Sequence, residues 1–501
     1  MNILLEHLKN LSAKSPDQIV VKGIDKELSA QDLFSAVSHL SQNLLESDVR
    51  VVGIYANNSP SWIVIDLACQ MANICLLPLP SFFSDQQLSH AIATSNLDCM
   101  IADNDERIPP FLPQDKPVSR LDIVTDMVCW KFDRSATDKI PANTNKITFT
   151  SGSTGTPKGV CLSNDSLLSV AQALTQKINI SNPKHLSLLP YSMLLENIAG
   201  IYVPLLSDGL VYALPPETIG IGGSSNLDIA TMLGAITRYQ PNSIILIPEL
   251  LKVLMIAIEH SWLPPATFQF IAVGGGKVSP ELIEKARDHT LPVYEGYGLS
   301  ECASVVSLNC PSEDCLGTVG KPLTHVDLDI VEGEIVVGGN SFLGYIDEPD
   351  SWSNSQIKTG DIGHFNKQGF LVIDGRKKNI LISSFGRNIH PEWVESEICG
   401  NAHVAQCFVF GDDKPYLTAL IASYAQHNPE TESLIESWIS SLNRSLPDYA
   451  QVKSWYYLRQ PLTKESGLLT SNGRPKREKI YETFEKTIEE LYSESNEETI
   501  A

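Results

Sequence analysis

The amino-acid sequence predicts an α/β protein with a large N-terminal multi-sheet α/β domain and a small C-terminal α+β domain. The chain has 501 residues, more than a single hydrophobic core ordinarily serves. Helix-like and strand-like patterns alternate over most of its length, which favours α/β architecture. A very polar stretch at 374–379 interrupts this alternation, and a new pattern begins after it. We therefore predict a large domain at 1–377 and a small one at 378–501.

The individual elements follow from local periodicity. A helix is predicted over 163–178, where Leu167, Ala171, Leu174 and Ile178 fall at helical spacing and Ser163 or Asn164 is available as the N-cap. Short apolar runs then predict strands of the large domain at 243–247, 268–273, 333–337 and 370–373. In the small domain we expect strands at 404–410 and 416–423, a helix at 430–442 and a strand at 452–458.

Composition and charge exclude several classes of protein. Hydrophobic residues make up 43% and charged residues 19%, a balance that excludes a disordered chain, a collagen and a coiled coil. Asp and Glu total 59 against 37 Lys and Arg, giving a net charge of −22. Such a surface repels phosphate backbones, so we expect no nucleic-acid partner.

The same sequence predicts a cytoplasmic protein without a transmembrane segment. The most apolar region, 243–258, is too short for a bilayer and is broken by Pro248, Glu249 and Lys252. We expect no signal peptide, and the ten cysteines form no CxxC pair, which favours reduced thiols. Peripheral membrane contact stays open and would have to overcome the acidic surface.

The strongest local signal is the segment 148–159, TFTSGSTGTPKG. Apolar residues alternate on either side of it, as strands entering and leaving a turn would. Between Phe149 and Val160 it combines three glycines with five hydroxyl side chains and Lys158, and backbone N–H groups, hydroxyls and a cation are what an oligophosphate requires. The segment is not a Walker A motif, because Lys158 precedes a glycine and no helix pattern opens directly behind it.

Three further motifs follow in order: Tyr297-Gly-Leu-Ser-Glu301, Thr359-Gly-Asp361 and Gly375-Arg376. Together with the segment 148–159 they resemble the adenylate-forming, AMP-dependent synthetase and ligase superfamily, over about residues 30 to 480. The resemblance is closest to the acyl-CoA synthetase (fatty-acid–CoA ligase) branch. It implies that a carboxylic acid reacts with ATP and Mg²⁺ to give acyl-AMP and pyrophosphate, and that the acyl group then passes to the thiol of CoA.

The resemblance also assigns roles to particular residues. Those that would hold the β- and γ-phosphates are Thr150, Ser151, Gly152, Ser153, Thr154, Gly155, Thr156 and Lys158. Glu301, a hard carboxylate suited to a hard cation, and Thr150 would bind Mg²⁺, and Ser300 would contact the α-phosphate. Tyr297 would stack on adenine, with Gly274 and Gly275 forming the opposite wall.

The remaining implied roles lie near the domain boundary. Asp361 and Arg376 would bind the ribose hydroxyls, as an acceptor and a fork of donors. Lys378 would be the hinge about which the small domain rotates between two poses, and Gly386 would line the path of the pantetheine arm. Taken alone, Asp361 is equally compatible with a turn cap, and Arg376 and Lys378 with solvated surface charges.

The sequence departs from the family pattern at two positions. In the stretch that resembles LPLxHxxE, Met193 stands where the family has a histidine bordering the acyl pocket, which favours an apolar acid. In the small domain Arg474 stands at the position of the catalytic lysine, and Lys476 follows two residues later. Either cation is a candidate for the catalytic role, and gap-free alignment favours Arg474.

We therefore predict a CoA ligase acting on an apolar carboxylic acid, with a medium- or long-chain fatty acid as the favoured substrate. Transfer to the phosphopantetheine of an acyl carrier protein is an open alternative. Activation of an amino acid is disfavoured, because no acidic residue lies between 189 and 195 to meet an α-ammonium group. A third alternative is a degenerate nucleotide-binding homologue without turnover, suggested by Met193 and Arg474.

Overall fold

The structure is a computed structural model of the chain. It describes residues 2–103, 119–121, 124–132, 139–150, 157–222, 226–352, 354–384, 387–424, 428–470 and 473–493. The α-helices in these ranges are α1 (Ile3–Lys14), α2 (Ala30–Glu46), α3 (Pro60–Ala72), α4 (Asp85–Ser95), α5 (Asn164–Ile178), α6 (Val203–Leu206), α7 (Ile229–Tyr239), α8 (Pro248–Glu259), α9 (Pro280–Asp288), α10 (Pro391–Ile398), α11 (Pro429–Asn443) and α12 (Arg477–Ser493).

Two large sheets form the centre of the N-terminal part. The strands of the nine-stranded sheet are, in spatial order, β18 (Lys321–Pro322), β17 (Ser304–Leu308), β16 (Val293–Leu299), β15 (Phe270–Val273), β14 (Ser243–Leu246), β10 (Lys184–Leu186), β11 (Leu210–Tyr212), β1 (Ile19–Lys22) and β2 (Glu27–Ser29). Those of the eight-stranded sheet are β21 (Gly344–Tyr345), β9 (Lys158–Leu162), β8 (Lys146–Thr150), β4 (Cys75–Pro78), β3 (Val51–Tyr55), β5 (Cys99–Asp103), β7 (Val124–Lys131) and β6 (Ser119–Leu121).

Smaller sheets complete the fold. A four-stranded sheet has the order β19 (Asp327–Val331), β20 (Glu334–Gly338), β22 (Gln356–Phe365) and β23 (Leu371–Arg376), and a three-stranded sheet in the C-terminal part has β26 (Val404–Phe410), β27 (Leu417–Ser423) and β28 (Val452–Leu458). The two-stranded pairs are β12 (Ile221–Gly222) with β13 (Asn226–Leu227), and β24 (Leu381–Ile382) with β25 (Asn388–Ile389).

Helices are layered on the two large sheets. The largest hydrophobic core contains residues of both sheets together with α1, α2, α3 and α5, so these helices share one core with the two sheets. Helices α7, α8 and α9 share a second core with the nine-stranded sheet, and α4 shares a third with the eight-stranded one. The central strands β14, β15 and β16 run parallel, and their carboxyl ends therefore meet at one edge. Crevices at such an edge are common ligand sites.

A buried polar network fixes the start of β8. The Lys146 Nζ atom lies 2.7 Å from Asp66 Oδ1 on α3 and donates to the Tyr202 hydroxyl at 2.7 Å and to Asn197. The Lys146 side chain is only 1% exposed and that of Asp66 is not exposed at all. Burial lowers the pKa of Lys146, and Asp66 opposes that shift. Because each polar partner is satisfied by the others, the network joins β8 to α3 and to the π-helix Glu196–Tyr202.

The C-terminal part has cores of its own. Helices α10 and α11 pack on one face of the three-stranded sheet, and α12 packs on the other. Strand β27 pairs antiparallel with β26 and parallel with β28. The predicted division between residues 377 and 378 stays a prediction, while the α/β class with several sheets is confirmed.

The local predictions agree closely with the observed elements. Helix α5 begins after Ser163, which accepts a hydrogen bond from the Ser166 amide as its N-cap. The predicted small-domain strands and helix correspond to β26, β27, α11 and β28. The largest difference is at the end of β23, where Asp374, Gly375 and Arg376 extend the strand and only 377–379 form a turn of 3₁₀-helix. Within the described ranges, no helix combines the length and apolar character needed to cross a membrane.

Candidate active site

The segment that resembles a phosphate-binding motif joins β8 to β9. These strands pair antiparallel, and Thr150 faces Lys158 at the end of the hairpin that adjoins the connecting segment. Lys158 is thus the first residue of β9, whereas the sequence placed it inside the turn. Residues 151–156, namely Ser151, Gly152, Ser153, Thr154, Gly155 and Thr156, lie outside the described residues. Their phosphate-binding role stays a prediction.

Lys158 and Glu301 are linked through one tyrosine. The Lys158 Nζ atom lies 2.7 Å from Glu348 Oε1 and 4.8 Å from the centre of the Tyr345 ring. The Tyr345 hydroxyl donates to Glu301 Oε1 at 2.8 Å, and burial followed by the Glu301 charge raises the tyrosine pKa. Tyr345 therefore holds the predicted metal-binding carboxylate beside the predicted phosphate-binding lysine.

The residues assigned to adenine and ribose also lie together. Asp361 and Arg376 face each other across β22 and β23, and Arg376 Nε lies 2.8 Å from Asp361 Oδ1. The Tyr297 hydroxyl donates to Asp361 Oδ2 at 2.5 Å. Burial raises the pKa of Asp361, while Arg376 and the hydrogen bond from Tyr297 oppose the rise. The carboxylate is thus oriented by two donors before any ligand arrives.

The small domain contributes Arg474 to this cleft. The Arg474 Nη2 atom donates to the carbonyl of Gly275 at 3.3 Å, directly after β15. Part of its side chain is exposed, yet loss of hydration lowers its pKa, Arg376 adds to that shift, and Asp361 opposes it. The guanidinium therefore lies among the predicted ribose- and adenine-binding residues.

A short hairpin presents Arg474. The amide of Thr470 donates to the Arg474 carbonyl at 2.7 Å, and the Arg474 amide donates to Thr470 Oγ1 at 3.0 Å. Lys476 also borders the cleft, and its amide donates to the Leu468 carbonyl at 2.9 Å.

Other predicted site residues line the same cleft. Gly274, Ser300 and Lys378 border it, and Lys378 is exposed within the 3₁₀ turn Lys377–Asn379. Gly275 has φ +84°, in the left-handed region that favours glycine. Gly386 lies outside the described residues, so its role stays a prediction.

The cleft continues as a single cavity of about 2070 Å³ toward the interior of the large domain. The apolar part of its lining, which we call the inner wall, includes Met193, Leu195, Ala199, Ile247 and Ala272. Met193, the residue in place of the family's histidine, lines this cavity, and its place beside the acyl group stays a prediction. A cavity lined by both charged and apolar side chains can bind a ligand that has a charged part and an apolar part.

Sequence reasoning missed three residues of this region. Tyr345 and Glu348 lie far along the chain from the residues they contact, and no motif marks them. Glu295 lies two residues before Tyr297 on β16, and burial raises its pKa to about 8. A glutamate in an otherwise apolar strand was the available signal for Glu295.

The donor set fits Mg²⁺ bound together with phosphates. Among the described residues, no group of three or more His, Cys, Asp or Glu side chains could form an all-protein metal site. Mg²⁺ is ordinarily held by one or two carboxylates plus substrate phosphates. Glu301, oriented by Tyr345 and facing the cleft, meets that requirement.

Comparison with known proteins agrees with this arrangement. A profile of the AMP-binding enzyme family matches residues 8–346, and one of the AMP-binding enzyme C-terminal domain matches residues 378–496. The chain therefore belongs to the AMP-binding enzyme family, within the adenylate-forming superfamily.

The relatives differ in the acid they are named for. The chain is 26% identical to a 2-succinylbenzoate–CoA ligase of Bacillus pumilus, covering 80% of this chain and 83% of the relative. It is 25% identical to human long-chain-fatty-acid–CoA ligase 6, and the match covers 93% of this chain and 82% of the relative.

Solved structures share the fold. The anthranilate–CoA ligase AuaEII in complex with anthranoyl-AMP has a TM-score of 0.79 at 14% identity, covering 96% of each chain. The o-succinylbenzoate–CoA synthetase MenE of Bacillus subtilis, in complex with ATP and a magnesium ion, has a TM-score of 0.73 at 20% identity. That match covers 94% of this chain and 98% of MenE.

Proposed function

We propose that this protein is a carboxylic acid–CoA ligase that uses ATP and Mg²⁺. The observation that carries the proposal is one continuous cavity with a charged outer end and an apolar inner end. Arg474, Asp361 and Glu301 border the outer end, where an acid carboxylate and the α-phosphate of ATP would meet. Met193 and Ala272 border the inner end, where the body of the acid would lie.

Each charged residue has a defined task in this proposal. Asp361 accepts hydrogen bonds from the ribose hydroxyls, and Arg474 stabilises the negative charge that develops as the carboxylate attacks the α-phosphorus. Lys158 neutralises the leaving pyrophosphate. Mg²⁺, held by Glu301, would supply further neutralisation of phosphate charge. The CoA thiolate would then displace AMP from the acyl carbon.

The acid is proposed to be a medium- or long-chain fatty acid, which would place the protein in lipid metabolism. The apolar inner wall supports this choice, and so does the similarity to a long-chain-fatty-acid–CoA ligase. The similarity to a 2-succinylbenzoate–CoA ligase makes aryl acids the main comparison. All ten cysteines are free thiols, which supports a reducing, cytoplasmic compartment.

A panel of acids tests the proposal. Pyrophosphate release from ATP is measured with aryl acids and with short-, medium- and long-chain acids, each with and without CoA. We expect acid-dependent release that needs Mg²⁺, favours an acid with an apolar body, and yields a thioester only when CoA is present. Absence of acid-dependent release across the panel would contradict ligase activity. Acyl-AMP without any thioester would contradict CoA as the acceptor and point to a carrier protein.

A further inference from the structure

A buried polar triad interrupts the apolar inner wall of the cavity. His185 on β10 and Ser243 on β14 are register partners on neighbouring parallel strands. The His185 Nδ1 atom lies 2.9 Å from Ser243 Oγ, and His185 Nε2 lies 2.8 Å from Glu196 Oε1. His185 and Ser243 both line the cavity. His185 and Ser243 therefore belong to the wall that an acid would contact, and Glu196 is bonded to His185.

The local backbone is built around this triad. Glu196 begins the π-helix Glu196–Tyr202. Such turns are rare in proteins as a whole, and those that occur are often found at functional sites. Gly200 in the same π-helix leaves room for the polar atoms, because a Cβ there would lie 2.3 Å from Glu196 Oε1 and 2.8 Å from His185 Nε2. Any larger residue at position 200 would displace Glu196 from His185.

The hydrogen-bonding capacity of the triad is not used up within the protein. Glu196 is not exposed, and its Oε2 atom has no hydrogen-bond partner among the described residues. Ser243, by contrast, is half-buried and borders the cavity. Burying a polar group costs free energy unless the group is hydrogen-bonded. Apolar side chains would fill the same wall without that cost, so packing alone does not account for the triad.

The direction of the hydrogen bonds specifies what Ser243 offers to a ligand. The Glu196 carboxylate accepts a hydrogen bond from His185 Nε2. We take His185 in its neutral form, in which Nδ1 is the acceptor for the Ser243 hydroxyl. The hydroxyl hydrogen of Ser243 is thereby engaged, and its oxygen keeps its lone pairs for a ligand in the cavity that Ser243 lines. Ser243 can therefore accept a hydrogen bond from a ligand donor and has no hydrogen left to give to a carbonyl or ether.

The triad lies far from the reacting end of the cavity. Phe270 is the register partner of Ser243, and Gly274 lies four residues further along the same chain, just after β15. Four residues of extended strand span ~13 Å. The wall between these ends includes Ala199, Ile247 and Ala272.

We propose that the acid bears a hydroxyl group on its apolar body, remote from the carboxylate, and that Ser243, held by His185 and Glu196, accepts its hydrogen bond. This inference rests on the proposed ligase function and narrows its substrate class from apolar acids to hydroxylated ones. His185 and Glu196 are positioning residues for Ser243.

The experiment scans the position of a hydroxyl along a medium-chain acid. Acid-dependent ATP–pyrophosphate exchange without CoA gives kcat/KM for each hydroxy acid, for the unsubstituted acid, and for the matching keto acids and methyl ethers. The wild-type protein should prefer one hydroxyl position over the unsubstituted acid by roughly tenfold, the value of one well-placed neutral hydrogen bond. The keto acids and ethers, which offer only acceptors, should show no such preference.

Variants connect the preference to the triad. Ser243→Ala should abolish the preference for the favoured hydroxy acid. The matched control Ser169→Ala should retain it, because the Ser169 hydroxyl bonds to the Asp165 carbonyl and does not line the cavity. Two results would overturn this inference and leave the ligase proposal standing. One is a wild-type protein that exchanges pyrophosphate with the same kcat/KM at every hydroxyl position, and the other is a preference that survives Ser243→Ala. Absence of exchange with every acid would overturn the ligase proposal, and this inference with it.

Discussion

Replacing Arg474 with alanine should slow the formation of acyl-AMP about 100- to 1000-fold. The guanidinium donates to the Gly275 carbonyl at 3.3 Å and lies close enough to Asp361 for their charges to affect each other. It is therefore held in the cleft before a ligand binds. A donor placed in advance does not have to reorganise when charge develops, so its removal raises the activation free energy of the reaction.

The magnitude follows from the position of the charge. Two unit charges about 4 Å apart in a partly solvated cleft interact by ~4 kcal/mol. Only the charge that develops in the transition state counts toward the rate, so a loss of about 2.7–4 kcal/mol is expected, as for removal of one preorganised donor. At 1.36 kcal/mol per factor of ten, this loss corresponds to two to three orders of magnitude.

The assay is acid-dependent ATP–pyrophosphate exchange without CoA, which reports only the first half-reaction. The matched control is Lys476→Ala, which removes the neighbouring cation and keeps the amide that donates to the Leu468 carbonyl. We expect exchange by this variant to stay within about threefold of wild type, the effect of a peripheral charge. Arg474→Lys should recover part of the rate, because it restores the charge without the planar fork.

Two results would refute this reasoning. If Lys476→Ala loses exchange while Arg474→Ala retains it, the catalytic cation lies two residues from the predicted position. If both variants exchange normally, the small domain does not supply this cation, and Lys158 with Mg²⁺ must suffice.

Three further predictions concern buried or metal-facing carboxylates. Glu301→Gln should raise the Mg²⁺ concentration for half-maximal exchange at least tenfold, because a charged metal ligand is lost; an unchanged Mg²⁺ requirement would contradict its role. Burial raises the pKa of Glu295 from its ordinary value of 4.5 to about 8. The folded protein therefore holds a proton that the unfolded chain releases, and the free energy of unfolding should fall from pH 5 to pH 8, less steeply in Glu295→Gln. Asp66→Ala should lower the free energy of unfolding by about 3–5 kcal/mol in urea titrations, since it leaves Lys146 buried and unpaired. Glu284 is exposed, and Glu284→Gln is the control in both unfolding experiments. If this control changes the free energy of unfolding as much as the Glu295 or Asp66 variant does, the corresponding prediction is contradicted.

Local periodicity was sufficient to predict much of the fold. Helix α5 and strand β28 have nearly the boundaries that the sequence indicates, because a side-chain period of 3.6 or 2 is visible within a single element. The extension of β23 through Arg376 was not predicted. Its last residues are polar and pair with β22 at the edge of the cleft, so their strand conformation depends on a distant partner. Propensity alone does not reveal such pairing.

The residues of the candidate site also fall into two groups, those that a local motif predicts and those that only the folded topology brings together. Tyr297, Asp361 and Arg376 were assigned from short motifs, and the structure brings them into contact, although their roles stay predictions. The contact between Tyr345 and Glu301 joins residues 44 positions apart, and no local pattern encodes it. The His185–Ser243 pair likewise depends on the register of two strands that are separated by more than fifty residues. Contacts of this kind are consequences of topology, which a single sequence does not display.

The charges in the cleft show why an arginine at position 474 is chemically reasonable. Lys158 is paired with Glu348, and Arg376 is paired with Asp361. Arg474 instead donates to the Gly275 carbonyl, a neutral acceptor. A triphosphate therefore competes with Glu348 for the charge of Lys158, whereas Arg474 can accept negative charge without competition from a paired carboxylate. A guanidinium stays protonated even where its pKa is lowered, and its fork can bond to a carbonyl and a phosphoryl oxygen together. A lysine at this position would supply the charge from a single point and would be easier to deprotonate beside Arg376.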